Sequence, residues 1–462
     1  MALALELVAA SAHNHPGEYS PEDECSGVNA ISPTCSTGES LHYRDIFYVG
    51  GHYVETAAGN LTYDQLYVEK LTPADGVSQP NPVIFFHGGG TSGVTWLNTP
   101  DNRKGFASYF LDLGYQVYIV DQTSVGRGSE EDLTDFPMRI GSTAEISEDG
   151  FTAPEQANLY PQSQLHTQWP GVRPVPSTSP PPLTHQQTGL KSDPTFDAFE
   201  STFIPLTTNL TAQELSMRRS GCALLALLAT PAFLVSHSIG ALHPLLLSND
   251  CPALVAGSVN LEPANTPFTS YLGNASVPGT GSSRTRPWGL ANTRLTYDPP
   301  VPPSSSDADD DDDDDDVPAA LGAHLVGLDA PAKRACYMQR DPPRKLPQVA
   351  KVPYVALTAE ASPHATYDHC VVEYLRQAGV RAEWIRLAED LGVRGNGHFM
   401  HLERNNWEVA GVVHGWMRRV VGEGASSGGT VGEGEGMDGG DGGDGGGEGG
   451  GWWGWLGWWS RW

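Results

Sequence analysis

The sequence predicts an α/β protein built on a mostly parallel sheet with helices on both faces. Three observations carry this. Short apolar runs bounded by turn residues alternate with stretches of helical periodicity along most of the chain. One of them, Pro82-Val83-Ile84-Phe85-Phe86-His87, is apolar almost throughout, as a strand covered on both faces must be. A length of 462 residues accommodates a large α/β domain together with insertions.

The elements follow in order. Tyr43 to Val54 and Leu66 to Leu71 read as antiparallel opening strands, followed by the buried strand ending at His87. A helical stretch around Arg103 to Leu113 leads to the strand Tyr115 to Asp121. Residues 122–200 carry many Pro, Ser and Thr with little periodicity, which predicts surface excursions with short helices. Gln213 to Leu228 has helical spacing, Pro231 to Val235 is another buried strand, a helix starts at Ile239, and Leu254 to Leu261 is the next strand. About ninety residues then intervene before the strand Pro353 to Thr358, too many for a plain connection, so an insertion or lid is expected. Thr366 to Gly379 reads as a helix, Ala382 to Leu387 as the last strand and Asn406 to Val421 as a closing amphipathic helix. The expected organisation is an N-terminal segment 1–42, a catalytic domain 43–421 with a cap excursion at 122–212 and an insertion at 263–351, and a tail at 422–462.

The formal charge is −28, from 27 Lys and Arg against 55 Asp and Glu, which excludes a basic nucleic-acid binder because phosphate contacts need a cationic surface. About half of that charge lies in two runs: nine aspartates between Asp307 and Asp316, and an acidic, Gly-rich tail after Glu423 that ends in six tryptophans. The tail buries too little apolar surface to offset its ordering entropy and is read as disordered. The poly-Asp run is read as a solvated, self-repelling insert. No apolar run reaches the length of a membrane span.

Localisation signals lean outward. Met1 to Ala12 is apolar and ends in Ala10-Ser11-Ala12, like a small-residue cleavage site, although Glu6 interrupts it and no Lys or Arg precedes it. Cysteines number six, and N-x-S/T sequons stand at Asn60, Asn209 and Asn274. Cys25 and Cys35 are expected to form a small disulfide loop; Cys222, Cys251, Cys336 and Cys370 make no CxxC pair, which argues against structural zinc. An extracellular glycoprotein is the expectation.

Chemistry concentrates in a few strings. Val235-Ser236-His237-Ser238-Ile239-Gly240 has an apolar strand before it and a helical pattern after it, the setting of a nucleophile elbow, where neighbours two positions from the serine must be small. Ser236 and Gly240 meet that demand, with Ser replacing Gly at the first position. His87-Gly88-Gly89-Gly90 follows a buried strand and can turn backbone N–H groups toward a developing oxyanion, which makes Gly88 or Gly89, with the N–H of Ile239, the candidate oxyanion hole. A serine needs a base. His398, in Gly395-Asn396-Gly397-His398 between the last strand and the closing helix, is the candidate; His401 competes, and His237 and His243 are expected to point away. Two carboxylates end strands between nucleophile and base, Glu262 and Glu360, with Asp368 as a third candidate. Asp121 and Gly126-Arg127-Gly128 read as scaffold. His166 and Trp169 line a pocket mouth or hold a loop.

These strings together resemble a subgroup of secreted α/β-hydrolase-fold serine esterases. The matching residues are His87-Gly88-Gly89-Gly90 with Trp96 and Thr99-Pro100-Asp101; Val120-Asp121-Gln122 with Gly126-Arg127-Gly128; Gln164 to Gly171; His237-Ser238-Ile239-Gly240; and Gly397-His398 with Glu403. The resemblance implies Ser238 as nucleophile, His398 as base and Glu262, after the strand following the elbow, as acid, with Glu360 as the alternative. It implies a small-molecule ester substrate and no metal or organic cofactor. The rival expectation is a silent protein of this fold that binds a ligand or partner, or a hydrolase of lactones or peptides. Oligomeric state is not legible in the sequence.

Overall fold

The computed structural model describes residues 38–57, 59–171, 189–271, 282–284, 286–302, 321–327 and 333–427. The Cys25 and Cys35 loop, the Asn274 sequon, the poly-Asp run and the tail beyond residue 427 lie outside the described residues.

Eight strands form one sheet: β1 (His42–Thr56), β2 (Gly59–Pro73), β3 (Val83–Phe86), β4 (Val117–Asp121), β5 (Ala232–His237), β6 (Val255–Leu261), β7 (Tyr354–Thr358) and β8 (Ala382–Arg386). Their spatial order is β1-β2-β4-β3-β5-β6-β7-β8. The β1–β2 hairpin is antiparallel and β2 pairs antiparallel with β4, while every pairing from β4 to β8 is parallel. This is the mixed sheet of an α/β-hydrolase fold, with opening strands longer than the sequence predicts.

Strand periodicity sends alternate side chains to opposite faces. Val83 and Phe85 of β3 pack with Val117, Ile119, Phe233 and Val235 against α1 (Phe106–Asp112), through Phe106 and Phe110, and against the closing helix, through Val409, Val413 and Trp416. Ile84 and Phe86 face the other way, with Tyr118, Val120 and Leu234, onto Met217, Leu224 and Leu225 of α2 (Leu210–Leu228) and Leu247 of α3 (Leu242–Asp250). Each of these side chains contributes about 1.5–3 kcal/mol by leaving water. A third apolar cluster joins Val371, Val372 and Leu375 of α4 (Asp368–Gln377) to Leu290, Leu295, Tyr297, Leu346 and Val349 of the insertion, so the insertion's described part shares the core.

Several boundaries shift for local reasons. The helix expected from Ile239 starts as a tight turn, Ser238–Ala241, before α3. The helix expected from Thr366 begins at Asp368, because the turn Pro363–Thr366 precedes it. The closing helix, α5 (Asn406–Ser427), runs past Val421. Residues 122–200 are not only surface excursions: Trp169 and Phe199 are buried against Phe399 and Leu402.

Two disulfides cross-link the described body: Cys222–Cys251 ties α2 to the end of α3, and Cys336–Cys370 ties the insertion to α4. Asn60 is exposed beside the hairpin turn, whereas Asn209 caps α2 through Oδ1 and donates its amide to Asp135 O at 3.0 Å. No helix among the described residues is long and apolar enough to cross a membrane.

Candidate active site

At the end of β5 the chain turns through Ser238 with φ 53°, a left-handed backbone that costs a side-chain-bearing residue on the order of 1 kcal/mol. Its neighbours explain how the turn is held. A Cβ on Gly240 would stand 2.3 Å from His87 O, so only glycine fits there. Ser236, where glycine is commoner, is accommodated because its hydroxyl donates to Asn260 Oδ1 at 2.9 Å.

The glycine loop after β3 lies against this turn. A Cβ on Gly88 would meet His237 Nδ1 at 2.7 Å, and one on Gly89 would meet Ile239 Cδ1 at 2.7 Å. Gln122 anchors the loop: its amide donates to His87 O at 2.6 Å, and its Oε1 accepts from His243 Nε2 at 3.0 Å. The structure therefore brings Gly88, Gly89 and Ile239 together at the elbow. Asp121 takes the N–H of Gly93 and three hydrogen bonds from Arg127, whose guanidinium also covers the Tyr67 ring, a structural role.

Glu262 follows β6 with φ 51° and is fully buried. Oε1 accepts the Ala359 N–H at 2.9 Å; Oε2 accepts the Ser362 hydroxyl and lies 2.6 Å from His398 Nδ1. Two residues on, the Ala264 N–H donates to Ser238 O at 3.1 Å, tying the Glu262 loop to the Ser238 turn. The other carboxylates are engaged elsewhere. Glu360 binds Arg394 at 2.7 Å and the Gly395 N–H at 2.9 Å, and Asp368 binds His364 Nδ1 at 2.7 Å and the Thr358 hydroxyl at 2.7 Å.

Burial is the main influence on the pair. It pushes the Glu262 carboxyl up, with Asp368 adding to the effect, and pushes the His398 imidazole well below its usual range, with His364 and His401 adding to that. Burial thus favours the neutral form of the imidazole, the form in which a ring can accept a proton.

The loop carrying His398 is gripped by buried Glu403, which accepts the Gly397 N–H at 2.8 Å and the Asn396 amide at 2.7 Å. His166 bridges Glu403 at 2.9 Å and Glu155 at 3.0 Å, and these two carboxylates overcome the cost of burial to raise its imidazole to about 9. The Thr167 and Gln168 N–H groups donate to Gly395 O. His166 thus holds a loop, and Trp169 packs on Phe199. His237 does not point away as expected: its Nε2 lies 2.9 Å from His398 O and its ring 4.5 Å from the His398 ring. His401 is buried and stacked on Trp96 at 4.4 Å, off the Glu262 carboxylate. Phe151, Ser362 and His364, which also meet the pair, carry no signal in the sequence.

Among the described residues, two clusters gather potential metal-ligating atoms. Glu262, His364 and His398 bring ligating atoms within 4.8 Å of one another, but the two imidazoles are parallel to within 15°, so their in-plane lone pairs cannot converge on one ion. Cys336 and Cys370, beside His369, are bonded to each other.

A model described as the alpha/beta hydrolase family matches residues 83–410. The "Probable secreted lipase phiG" of Fungal sp. (strain ATCC 74256) is 39% identical over 395 residues, covering 84% of this chain and 92% of its own length. Among solved structures, a novel bacterial esterase aligns with a TM-score of 0.46 at 20% identity over 84% of this chain and 99% of its own. Carboxyl esterase 2 from Tuber melanosporum aligns with a TM-score of 0.35 at 14% identity over 84% and 89%.

Proposed function

The chain belongs to the α/β hydrolase family, and from that premise we propose that it hydrolyses carboxylic esters with Ser238 as nucleophile, His398 as base and Glu262 as acid. Ser238 Oγ attacks the acyl carbonyl while His398 Nε2 takes its proton. Glu262 accepts the Nδ1–H bond, fixing the tautomer and stabilising the imidazolium. The oxyanion of the tetrahedral intermediate receives the N–H of Ile239 and that of Gly88 or Gly89. Collapse breaks the C–O bond to the alcohol, which leaves with the proton from His398. Water, deprotonated by the same imidazole, then attacks the acyl-enzyme and releases the acid and Ser238.

The observation that carries this reading is the 2.6 Å contact between His398 Nδ1 and Glu262, on the same end of the sheet as the strained Ser238 turn. The hydrogen bond from Ser238 Oγ to His398 Nε2 is what the reading adds. Two disulfides, and a relative named as a secreted lipase, support action outside the cell.

Ser238→Ala tests it. The variant is expected to lose turnover of p-nitrophenyl esters and labelling by a fluorophosphonate probe while melting at the wild-type temperature. Turnover that survives in the folded variant overturns the proposal.

A further inference from the structure

A second carboxylate–imidazole pair lies against the first. The turn Pro363–Thr366 presents His364, whose Nδ1 lies 2.7 Å from Asp368 Oδ1 in the first turn of α4. The other oxygen of Asp368 accepts the Thr358 hydroxyl at 2.7 Å, and Trp384 Nε1 donates to that hydroxyl at 2.8 Å. His364 is thereby fixed as the Nδ1–H tautomer with its ring plane set. That ring is stacked on His398, centroids 4.8 Å apart and planes 15° apart. The same turn serves the acid, because Ser362 donates to Glu262 and accepts the His364 N–H at 3.2 Å.

We propose that His364, held by Asp368, is a positioning residue for the ester hydrolysis: it fixes the plane of the His398 ring and sets how readily that ring accepts the proton of Ser238. The role rests on the assignment of His398 as base. Two physical effects follow from the stack. A planar neighbour confines the rotation that would break the bond from Nδ1 to Glu262, and misplacement of about 1 Å can cost roughly a hundredfold in rate. The His364 ring also adds to burial in disfavouring protonation of the parallel His398 ring.

Other titratable groups surround the pair. They are Glu262 after β6, His237 on β5, His401 and Glu403 on the base's own loop and beyond it, Tyr367 between the turn and α4, and Tyr160, whose hydroxyl donates to Ala361 O. None of these stacks parallel to His398; Phe151, at 28°, does so without a charge.

The test is the pH profile of kcat/KM for wild type, His364→Phe and His364→Ala, with melting temperature and fluorophosphonate labelling measured on each. His364→Ala is expected to lower kcat about tenfold with KM within about twofold. His364→Phe keeps the planar face and is expected to retain more of kcat, with its acid limb moved up by about half a pH unit, because the neighbour that disfavours protonation of His398 has been removed. Folded variants whose acid limb stays at the wild-type position, or a Phe variant as slow as the Ala variant, overturn the proposal. Ser238→Ala assayed alongside separates the two readings. Turnover surviving there removes the serine mechanism and this role with it, whereas its loss beside an unmoved limb in His364→Phe removes only the role of His364.

Discussion

Glu262 and Glu360 end neighbouring parallel strands, β6 and β7, on the same edge of the molecule, yet their surroundings differ in every respect that matters chemically. Glu262 turns in a left-handed conformation, is fully buried, and meets a backbone N–H, a hydroxyl and an imidazole. Glu360 continues in ordinary backbone, is partly exposed, and braces Arg394 and the Gly395 N–H in the loop that leads to His398. One carboxylate faces the imidazole, and the other supports the chain that carries it. Residue type and strand position are shared, so the backbone turn and the loss of water separate the two.

The largest break in this comparison is Glu262→Gln, which keeps the shape but removes the charge opposite Nδ1. It is expected to lower kcat by about 10³–10⁴ with little change in melting temperature, read on a p-nitrophenyl ester. A variant within tenfold of wild type would mean that Glu360 or Asp368 supplies the charge instead. His166→Ala comes next. It leaves buried Glu403 without its cation, a loss of about 3–5 kcal/mol, and loosens the loop that both glutamates serve. Chemical denaturation should show that loss, and kcat should fall about tenfold; an unchanged midpoint would show the loop to be held by Asn396 and Gly397 alone.

Acid stability sharpens the buried side. Burial holds His87, His237, His398 and His401 below 6.5, and His243 down to about 3, so the unfolded chain takes up protons first as pH falls. Stability from these rings is complete above pH 6.5 and is lost progressively below it, at up to about 1.4 kcal/mol per ring per pH unit. Glu131, raised by burial to about 7, and the raised Glu214 and Glu262 offset part of that loss. His166 acts in the opposite sense, its contribution fading as pH rises through about 9. The melting temperature should therefore peak near pH 6.5 and decline toward pH 9 as the contribution of His166 is lost. A flat profile from pH 6.5 to 4.5 would mean that the buried rings charge in place. The smallest effect is expected from Glu360→Gln, whose ion pair with the exposed Arg394 contributes about 1 kcal/mol or less, with kcat within about twofold. A large loss of kcat there would erase the distinction between the two glutamates.

Much of the fold was legible because each central strand announces itself as a short apolar run, and burial on both faces leaves no other composition open to it. The elbow and the glycine loop were legible for a related reason. The 2.3 Å approach to backbone at Gly240 admits no side chain, and the 2.7 Å approaches to the His237 and Ile239 side chains at Gly88 and Gly89 disfavour one, so the geometry writes itself into residue type. The choice between Glu262 and Glu360 was not legible from spacing, since nothing in Asn260-Leu261-Glu262-Pro263 marks a left-handed glutamate. His364 and Phe151 were invisible because a stacked ring leaves no periodic trace, and the inward turn of His237 was missed because the neighbours of an elbow were expected to diverge from it. The burial of Trp169 and Phe199 depends on Phe399, some two hundred residues away, a distance over which local pattern carries nothing.

The bond between Cys336 and Cys370 joins the insertion to the helix whose first turn holds Asp368. Each bridge closes a loop of about thirty residues and restricts the unfolded chain by roughly 3–4 kcal/mol. The maturation of this protein is thereby linked to the compartment it passes through. Made where thiols stay reduced, it would lack two of the restraints on its core until oxidation supplied them. The yield of well-folded protein should then follow the redox state of the host compartment.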